Sequence, residues 1–348
     1  MPERKSAAPR VNDFTLKFAN VNGSGSASAN ALIMKAIFRM GVPVVGKNFF
    51  PSNIQGLPTW YEIRVTREGW RARSGRIDLM VAMNAETYAR DVREVAAGGF
   101  LVYDSTWLRS SLLSRDDIKT FGVPFAQLCN ENFEGARART LMKNIMYVGT
   151  VAALIDLDLE VIRGLLAETF ARKPALVDSN MKSIEIGYRY AKEHFECPLP
   201  ARVERMDSTA GHVMIDGNTA AALGCLYAGA TVGAWYPITP STSLMDAFRS
   251  FCARHRTDPK TGRRDYDRPG RGRARGDRHC HRRHVERRAC LHADLRSRHF
   301  ADGGVHRPRL LRRGSRSHLR RSARRPIDRH ADTHAAVRSS GLRLCVAR

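Results

Sequence analysis

Between Arg268 and Arg348 the chain carries 24 arginines and not one lysine, whereas the preceding part uses both cations freely. That break constrains folding more than any other feature. A stretch built from Arg-Gly-Arg, His-Arg-Arg-His and Arg-Arg-Ser-Ala-Arg-Arg-Pro, without a lasting apolar period, cannot bury a core of its own. It reads either as a nucleic-acid-binding extension or as a gene translated in the wrong frame.

The genetic code separates the two. Written GAC CGT CCA GGC CGA GGA CGA GCT CGC and read from the second base, Asp267 through Arg275 becomes T-V-Q-A-E-D-E-L. The same shift, with permitted codons, turns Asp294 through Gly303 into T-S-G-P-G-I-S-L-M. Only the middle base of each new codon is free, so globular sequence of this kind points to a frame change near Tyr266 and Asp267. Residues 267–348 are accordingly expected to be a non-native, disordered tail.

The formal charge of +24 would by itself suggest a polyanionic partner. Residues 267–348 hold 24 Arg against 7 acidic residues, a net of +17, which leaves +7 for residues 1–266. The basic signal therefore belongs mostly to the tail, and nucleic acid is disfavoured as a partner. Residues 1–266 suffice for one full domain and part of a second. Seven cysteines without a C-x-x-C pair, and a polar start without an apolar h-region, lead to the expectation of a reducing cytoplasm. No apolar run approaches the roughly 20 residues of a membrane span.

Phe14 to Val21 reads as a strand, Asn22-Gly23-Ser24-Gly25-Ser26 as a turn, and the residues around Leu32, Ile33, Ala36 and Ile37 as a helix. Further strands are expected at Gly41–Phe50, Trp60–Val65, Ile77–Met83 and Phe100–Tyr103, with a helix over Ala85–Ala96. Helices follow at Ala136–Leu154, Leu159–Phe170 and Leu176–Phe195. The alternation defines an α/β sheet. Cys197-Pro198-Leu199-Pro200 breaks the period, which places a boundary near 196–210. Beyond it come a small-residue helix at Thr219–Ala230, a short strand to Trp235, a turn at Tyr236–Pro240 and a helix from Ser241.

Three segments are site candidates. Gly23, Ser24, Gly25 and Ser26 aim backbone N–H groups where an anion could sit, helped by the positive end of a helix; plain loop geometry explains the same residues. The dinucleotide fingerprint requires a third glycine where Ser28 stands, which disfavours NAD. The Phe50–Tyr61 loop, with Asn53, Gln55 and Gly56, is stiffened by two prolines and suits either a ligand or subunit surface or a rigid crossover. Tyr236-Pro237-Ile238-Thr239-Pro240-Ser241 fixes a turn whose hydroxyls meet a ligand edge or simply cap a helix. His279, Cys280, His281, His284, Cys290 and His292 match no zinc spacing, and no metal site is expected.

Together, Asn22-Gly-Ser-Gly-Ser-Ala-Ser, Phe50-Pro-Ser-Asn-Ile-Gln-Gly-Leu-Pro-Thr-Trp-Tyr, Asp216-Gly-Asn-Thr-Ala-Ala-Ala-Leu-Gly and Tyr236-Pro-Ile-Thr-Pro-Ser resemble the alpha subunit of a 2-oxoacid:ferredoxin oxidoreductase, the 2-oxoglutarate type with its gamma domain fused in front. The resemblance runs from about Val11 to Tyr266. It implies a flexible N-terminus at 1–10, a gamma-type α/β domain over 11–195, a linker at 196–210, and a truncated thiamine-diphosphate-enzyme pyrimidine-binding domain over 211–266. It further implies a beta subunit that shares thiamine diphosphate with Mg²⁺ and carries an iron–sulfur cluster, with CoA as co-substrate, ferredoxin as acceptor and a 2-oxoacid as substrate. By motif match Thr239 is the catalytic candidate, and Tyr236, Pro237, Ile238, Thr239 and Ser241 form the cofactor loop. The family's activating glutamate corresponds to the first Glu of the shifted-frame Q-A-E-D-E, where the written frame has Pro269-Gly270-Arg271-Gly272-Arg273. On this reading the written chain lacks the carboxylate that activates the cofactor. The competing readings are a binding protein with a genuine Arg-rich tail and a remnant gamma domain without catalysis.

Overall fold

The computed structural model describes residues 9–49, 56–106, 115–230, 232–235, 241–256, 290–293 and 342–345. The chain divides into two compact units, Met1–Met214 and Ile215–Arg348.

The first unit is organised by β2 (Asp13–Val21), which follows the two-residue β1 (Arg10–Val11). Its period of two sends Phe14, Leu16 and Phe18 into one apolar cluster and Ala19 into another on the opposite face. The strand is covered on both sides, so it can sit at the centre of a sheet. After α1 (Ser26–Arg39), β3 (Val44–Phe49) and β4 (Pro58–Thr66) form an antiparallel pair. β4 runs antiparallel to β2 in an unbroken register from Asp13 opposite Thr66 to Val21 opposite Pro58. β5 (Ile77–Ala82), α2 (Tyr88–Glu94), β6 (Val95–Asp104) and β7 (Lys119–Val123) add parallel strands on the other flank. The resulting sheet has six strands in the order β3-β4-β2-β5-β6-β7.

Four more helices follow: α3 (Phe125–Asn132), α4 (Ala136–Ile155), α5 (Leu159–Thr169) and α6 (Pro174–His194). α1, α3, α4, α5 and α6 share the cluster of Phe14, Leu16 and Phe18, whereas the other face carries α2 and a smaller cluster around Met80, Tyr88 and Val92. α4 and α6 meet backbone to backbone. A Cβ on Gly149 would lie 1.8 Å from the Ile184 carbonyl oxygen, and one on Gly187 would lie 2.1 Å from that of Met146. Two hydroxyls bond across the same contact, Thr150 Oγ1 to Gly187 O at 3.2 Å and Ser183 Oγ to Met142 O at 2.9 Å.

The segment expected as a linker is part of this unit. Leu199, Ala201 and Val203 are buried. Leu199 N donates to Leu154 O at 2.7 Å, Val203 N to Ile155 O at 2.8 Å, Met206 N to Met40 O at 3.0 Å and Ser208 N to Gly41 O at 3.0 Å. β8 (Ala201–Arg202) pairs in parallel with β1. The prolines end the helical period, but the backbone groups that follow still find partners, so the strap is ordered by hydrogen bonds instead of by periodicity. Asp158 ties it further, capping α5 through Glu160 N at 2.8 Å while accepting from Arg205.

Two boundaries also differ from expectation. The helix expected over Ala85–Ala96 is confined to Tyr88–Glu94, and Val95 begins a strand at once. The register of β5 and β6 slips between Ile77 and Leu79, where Gly98 takes a φ of +74° and absorbs the extra residues. β7 was not anticipated, because only Phe121 and Val123 are apolar and fully covered in its five residues.

In the second unit α7 (Gly217–Tyr227) and α8 (Ser241–His255) pack with β9 (Val232–Trp235) around Ala222, Trp235, Met245 and Phe248. At Gly233 a Cβ would come within 2.4 Å of Met245 Cε, so a larger residue there would displace the end of that methionine. Within the segment expected to be a disordered tail, Cys290–Ala293 (β10) and Leu342–Cys345 (β11) are strands, β10 parallel to β9 and antiparallel to β11. The rest of that expectation lies outside the described residues, as do residues 1–8 of the flexible start expected over 1–10; Arg10 of that start is instead in β1, its N donating to Pro200 O and its guanidinium paired with Asp78.

Glycine-to-alanine replacements should separate contact from propensity. Gly149→Ala is expected to lower the unfolding free energy of the first unit by about 3 kcal/mol through overpacking. Gly164→Ala, on α5 with nothing within 4 Å of a Cβ, is expected to raise it by about 0.5–1 kcal/mol. Urea denaturation followed by circular dichroism reads both.

Candidate functional site

In an open α/β sheet, ligands favour the crevice at the carboxyl ends of the parallel strands. Here β2 ends in Asn20-Val21, and the chain turns through Asn22, Gly23 and Gly25, the glycines at φ +85° and +88°, into α1. Left-handed backbone at these two positions costs little only for glycine. Gly25 is the N-cap residue and provides no side-chain cap, and the first turn of α1 contains no acidic residue. The positive end of the helix is thus left without a compensating carboxylate of its own.

Buried donors without partners concentrate at this end of the sheet. Asn20 Nδ2 and Ser24 Oγ flank the turn, and Asn84 Nδ2 lies just past the end of the adjacent β5, where Met83 N donates to Ala19 O at 2.9 Å. Asn20 faces the Tyr147 phenol without closing a bond of ordinary geometry, while that phenol donates to Asn30 Oδ1 at 2.8 Å. Burial raises the Tyr147 pKa and keeps the hydroxyl protonated. Asn84 uses its carbonyl to accept from Glu86 N at 3.0 Å. An unsatisfied buried donor costs about 1–3 kcal/mol, so several at one place call for an acceptor.

The loop candidates come together in part. Gly56 lies against the turn, donating from its N to Asn22 O at 3.1 Å, while Asn22 N donates to Leu57 O at 2.8 Å. Asn144 of α4 closes the opposite side, Nδ2 to Ser24 O at 2.8 Å. Gly23, Ser24, Gly25, Ser26 and Gly56 therefore share one site, whereas Asn53 and Gln55 lie outside the described residues. Asn20 and Asn84 were missed from sequence; the only signal either carries is an asparagine at or just past the end of an apolar strand, beside the glycine turn for Asn20 alone.

In the second unit Tyr236, Pro237, Ile238 and Thr239 lie outside the described residues. Around them, Ser241 is buried at the start of α8 and the buried Trp235 Nε1 has no hydrogen-bond partner. Asn218 of α7 reaches Ser243 of α8, Nδ2 to Oγ at 2.7 Å. For a thiamine-type cofactor this end offers donors. Among the described residues it does not offer a buried, unpaired carboxylate: Asp246 is exposed on α8, and both oxygens of Asp216 are taken by Thr219, at 2.9 Å from its N–H and 2.5 Å from its hydroxyl. The described residues thus do not complete a site for the aminopyrimidine. Nor do three or more His, Cys, Asp or Glu cluster as a metal site among them, and no described helix is long and apolar enough to cross a membrane.

A glycine turn thus feeds a helix at the carboxyl end of a mixed α/β sheet, and a second, smaller α/β unit follows in the chain. The chain belongs to the pyruvate ferredoxin/flavodoxin oxidoreductase family, whose profile matches residues 15–190. It is similar to the alpha subunit of 2-oxoacid:ferredoxin oxidoreductase 2 of Aeropyrum pernix, 24% identical over 270 residues that cover 66% of this chain and 42% of the relative. It is likewise 22% identical over 271 residues to the 2-oxoglutarate oxidoreductase subunit KorA of Mycobacterium tuberculosis, covering 69% and 42%. The chain therefore spans about two fifths of the length of these relatives. Among solved structures, the 2-oxoglutarate:ferredoxin oxidoreductase of Magnetococcus marinus shares its fold, with a TM-score of 0.62 at 22% identity over 74% of this chain and 43% of that one.

Two variants test the local account. Gly25→Ala should cost about 1–2 kcal/mol from the left-handed backbone. Leu141→Ala, which removes the atom 2.6 Å from a Cβ at that position, should relieve only part of that loss in the double mutant. For Asp216, burial acts to raise the pKa, but the bonds from Thr219 outweigh it and hold the carboxyl below its usual range. The folded value is depressed, so the cap contributes above the unfolded pKa and is lost as pH falls through the folded one. Asp216→Ala should therefore cost about 1 kcal/mol at neutral pH, and thermal melts of variant and parent should converge as pH drops below about 4.

Proposed function

We propose that the gene encodes the alpha subunit of a 2-oxoacid:ferredoxin oxidoreductase with a gamma domain fused in front. The subunit would work with a beta subunit to oxidise a 2-oxoacid, 2-oxoglutarate by preference, to its acyl-CoA while reducing ferredoxin. The observation that carries this reading is the match of residues 15–190 to the family, in the same chain as a second unit that keeps the Asp216-Gly-Asn-Thr-Ala helix and the approach to the Tyr236–Ser241 turn. The preference for 2-oxoglutarate is supported by the resemblance to KorA and to the M. marinus enzyme, which was solved with 2-oxoglutarate, CoA and succinyl-CoA bound.

Thiamine diphosphate, held with Mg²⁺ largely by the beta subunit, supplies the electron sink for decarboxylation. This chain's part is to orient. Thr239 and Ser241 would present hydroxyls at the start of α8, and Tyr236, Pro237 and Ile238 would set the turn. In the first unit the turn at Gly23–Ser26, with Ser24 and Asn84 donors beside it, would receive an oxygen-rich anionic group.

The proposal includes the change of frame after about Tyr266. The only described acidic groups in the second unit are Asp216, whose oxygens are bonded to Thr219, and Asp246, which is exposed on α8, and the shifted-frame Q-A-E-D-E would supply the carboxylate the reaction needs. The 348-residue chain, purified with its cognate beta subunit, should show no 2-oxoglutarate- and CoA-dependent viologen reduction. A version continued in the shifted frame should turn over, and loss of that activity on replacing the first Glu of Q-A-E-D-E by Gln would support the assignment. Turnover by the 348-residue chain itself would refute it. The alternative of a nucleic-acid-binding tail is not favoured, since its charge is accounted for by the altered frame.

A further inference from the structure

The loop between β4 and β5 presents a charged surface that the candidate site does not use. Arg67 to Arg76 carries four arginines and a tryptophan against one glutamate. It leaves the sheet where β4 ends and β5 begins, at the amino end of the parallel strands and away from the glycine turn. Two of its arginines are committed to the fold. Arg73 holds the buried Glu62 with bonds of 2.9 and 2.7 Å, and Arg76 Nε donates to the buried Asp78 at 2.7 Å. Arg73 also lines a cleft with Lys17 and Arg90, but these two are likewise held, both by Glu94, so that hollow contains no unpaired cation.

Further contacts fix the loop at both ends. Gly69 turns at φ +75°, its N donating to Thr66 O at 3.3 Å, and Thr66 N donates to Pro43 O at 3.2 Å. Ser74 Oγ lies 3.0 Å from Thr15 Oγ1. A loop tied down in this way keeps its apex in one place, so little ordering entropy is lost when a partner binds. At the apex Trp70 is 65% exposed. Arg67 and Arg71 on either side of it are exposed and make no hydrogen bond or ion pair among the described residues. Glu68, the one acid of the loop, already accepts from Thr66 Oγ1 at 3.2 Å.

A large indole flanked by guanidinium groups has the composition of a protein–protein hot spot. A lipid surface calls for several apolar side chains, and Trp70 is the only large one in the loop. A nucleic-acid strand calls for a row of stacking faces along a basic groove, and here a single ring stands on a turn. A carboxylate-lined pocket on another protein meets all three side chains: the indole fills it, and each free guanidinium can take a carboxylate through two parallel bonds. We propose that this loop docks into an acidic pocket of the beta subunit, with Trp70 entering the pocket and Arg67 and Arg71 pairing at its rim. The choice of partner rests on the proposed function, since the relatives are named as subunits; the surface itself stands on the first unit alone.

Isothermal titration of the purified cognate beta subunit into the 348-residue chain, and into its version continued in the shifted frame, is the experiment. Trp70→Ala should weaken association about thirtyfold. Arg71→Glu should weaken it about tenfold and flatten its dependence on salt. Arg172→Glu, at an exposed arginine beyond α5, serves as the charge control and should leave association unchanged. Circular dichroism melts of the three variants should match the parent, which separates a docking defect from misfolding. These losses in either chain support the proposal. Association that Trp70→Ala leaves intact, or that Arg172→Glu weakens as much as Arg71→Glu does, overturns the docking surface and leaves the subunit reading standing. Failure of both chains to bind the beta subunit overturns the proposal together with that reading of the partner. Phosphatidylserine vesicles or single-stranded RNA held through Trp70, with the beta subunit indifferent to its loss, overturn it in favour of a lipid or nucleic-acid partner.

Discussion

The close crossing of α4 and α6 is the contact on which the first unit depends. Two glycines, Gly149 and Gly187, let carbonyls of the facing helix come where a side chain would otherwise be. α4 is thereby pressed between α6 and the sheet. Its inner face carries Met146, Tyr147, Val151 and Leu154 into the cluster that also buries Phe14, Leu16 and Phe18. The tilt of Phe18 on Tyr147, with centroids 5.7 Å apart, marks the helix-to-sheet side of that sandwich. With α4 fixed, Asn144 is placed to hold the glycine turn at Ser24, and the carbonyls of Leu154 and Ile155 are placed to receive the strap at Leu199 and Val203. One helix therefore sets both the mouth of the candidate site and the closure of the domain.

The two faces of the sheet do different work. One is thick and apolar, covered by α1 and α3 through α6. The other alternates buried apolar residues with charged pairs: Lys17 with Glu94, Arg73 with Glu62, and Asp78 with Arg10 and Arg76. Such pairs are weak evidence of stability, because desolvating the buried partner offsets much of the attraction. Their effect here is to hold guanidinium groups in defined places on an open surface. At Glu94 burial acts to raise the pKa, but the bonds from Lys17 and Arg90 outweigh it and keep the carboxyl ionised.

Much of this architecture was legible in the residues, and what escaped has physical reasons. Strand, glycine turn and helix at the N-terminus follow from a period of two giving way to 3.6 around Gly23 and Gly25, and α4 through α6 from long apolar stripes. β7 escaped because two apolar side chains in five residues carry little periodic signal. The strap at 199–208 escaped because backbone hydrogen bonds to distant carbonyls leave no pattern in sequence, and prolines there look like a linker. Asn20 and Asn84 escaped because an asparagine at a strand end looks like ordinary turn chemistry until its burial is known. Arg73 and Arg90, seventeen residues apart in sequence, meet across one cleft only through the sheet. In the second unit the motif was visible but its central residues, Tyr236 to Thr239, lie outside the described part, so the site there still rests on the motif.

Family membership gives the first unit its context, and the proposed change of frame explains why the second ends in arginine-rich sequence that two short strands barely engage. The measurement that tests this most directly is nucleotide sequencing of the locus across codons 255–275 and onward through the arginine-rich region. The account predicts that the DNA, read from the second base after the codon for Tyr266, encodes T-V-Q-A-E-D-E-L and continues without a stop. Stop codons in that frame, or a different sequence at the place of the Q-A-E-D-E glutamates, would contradict it and return the arginine-rich segment to the protein as its own.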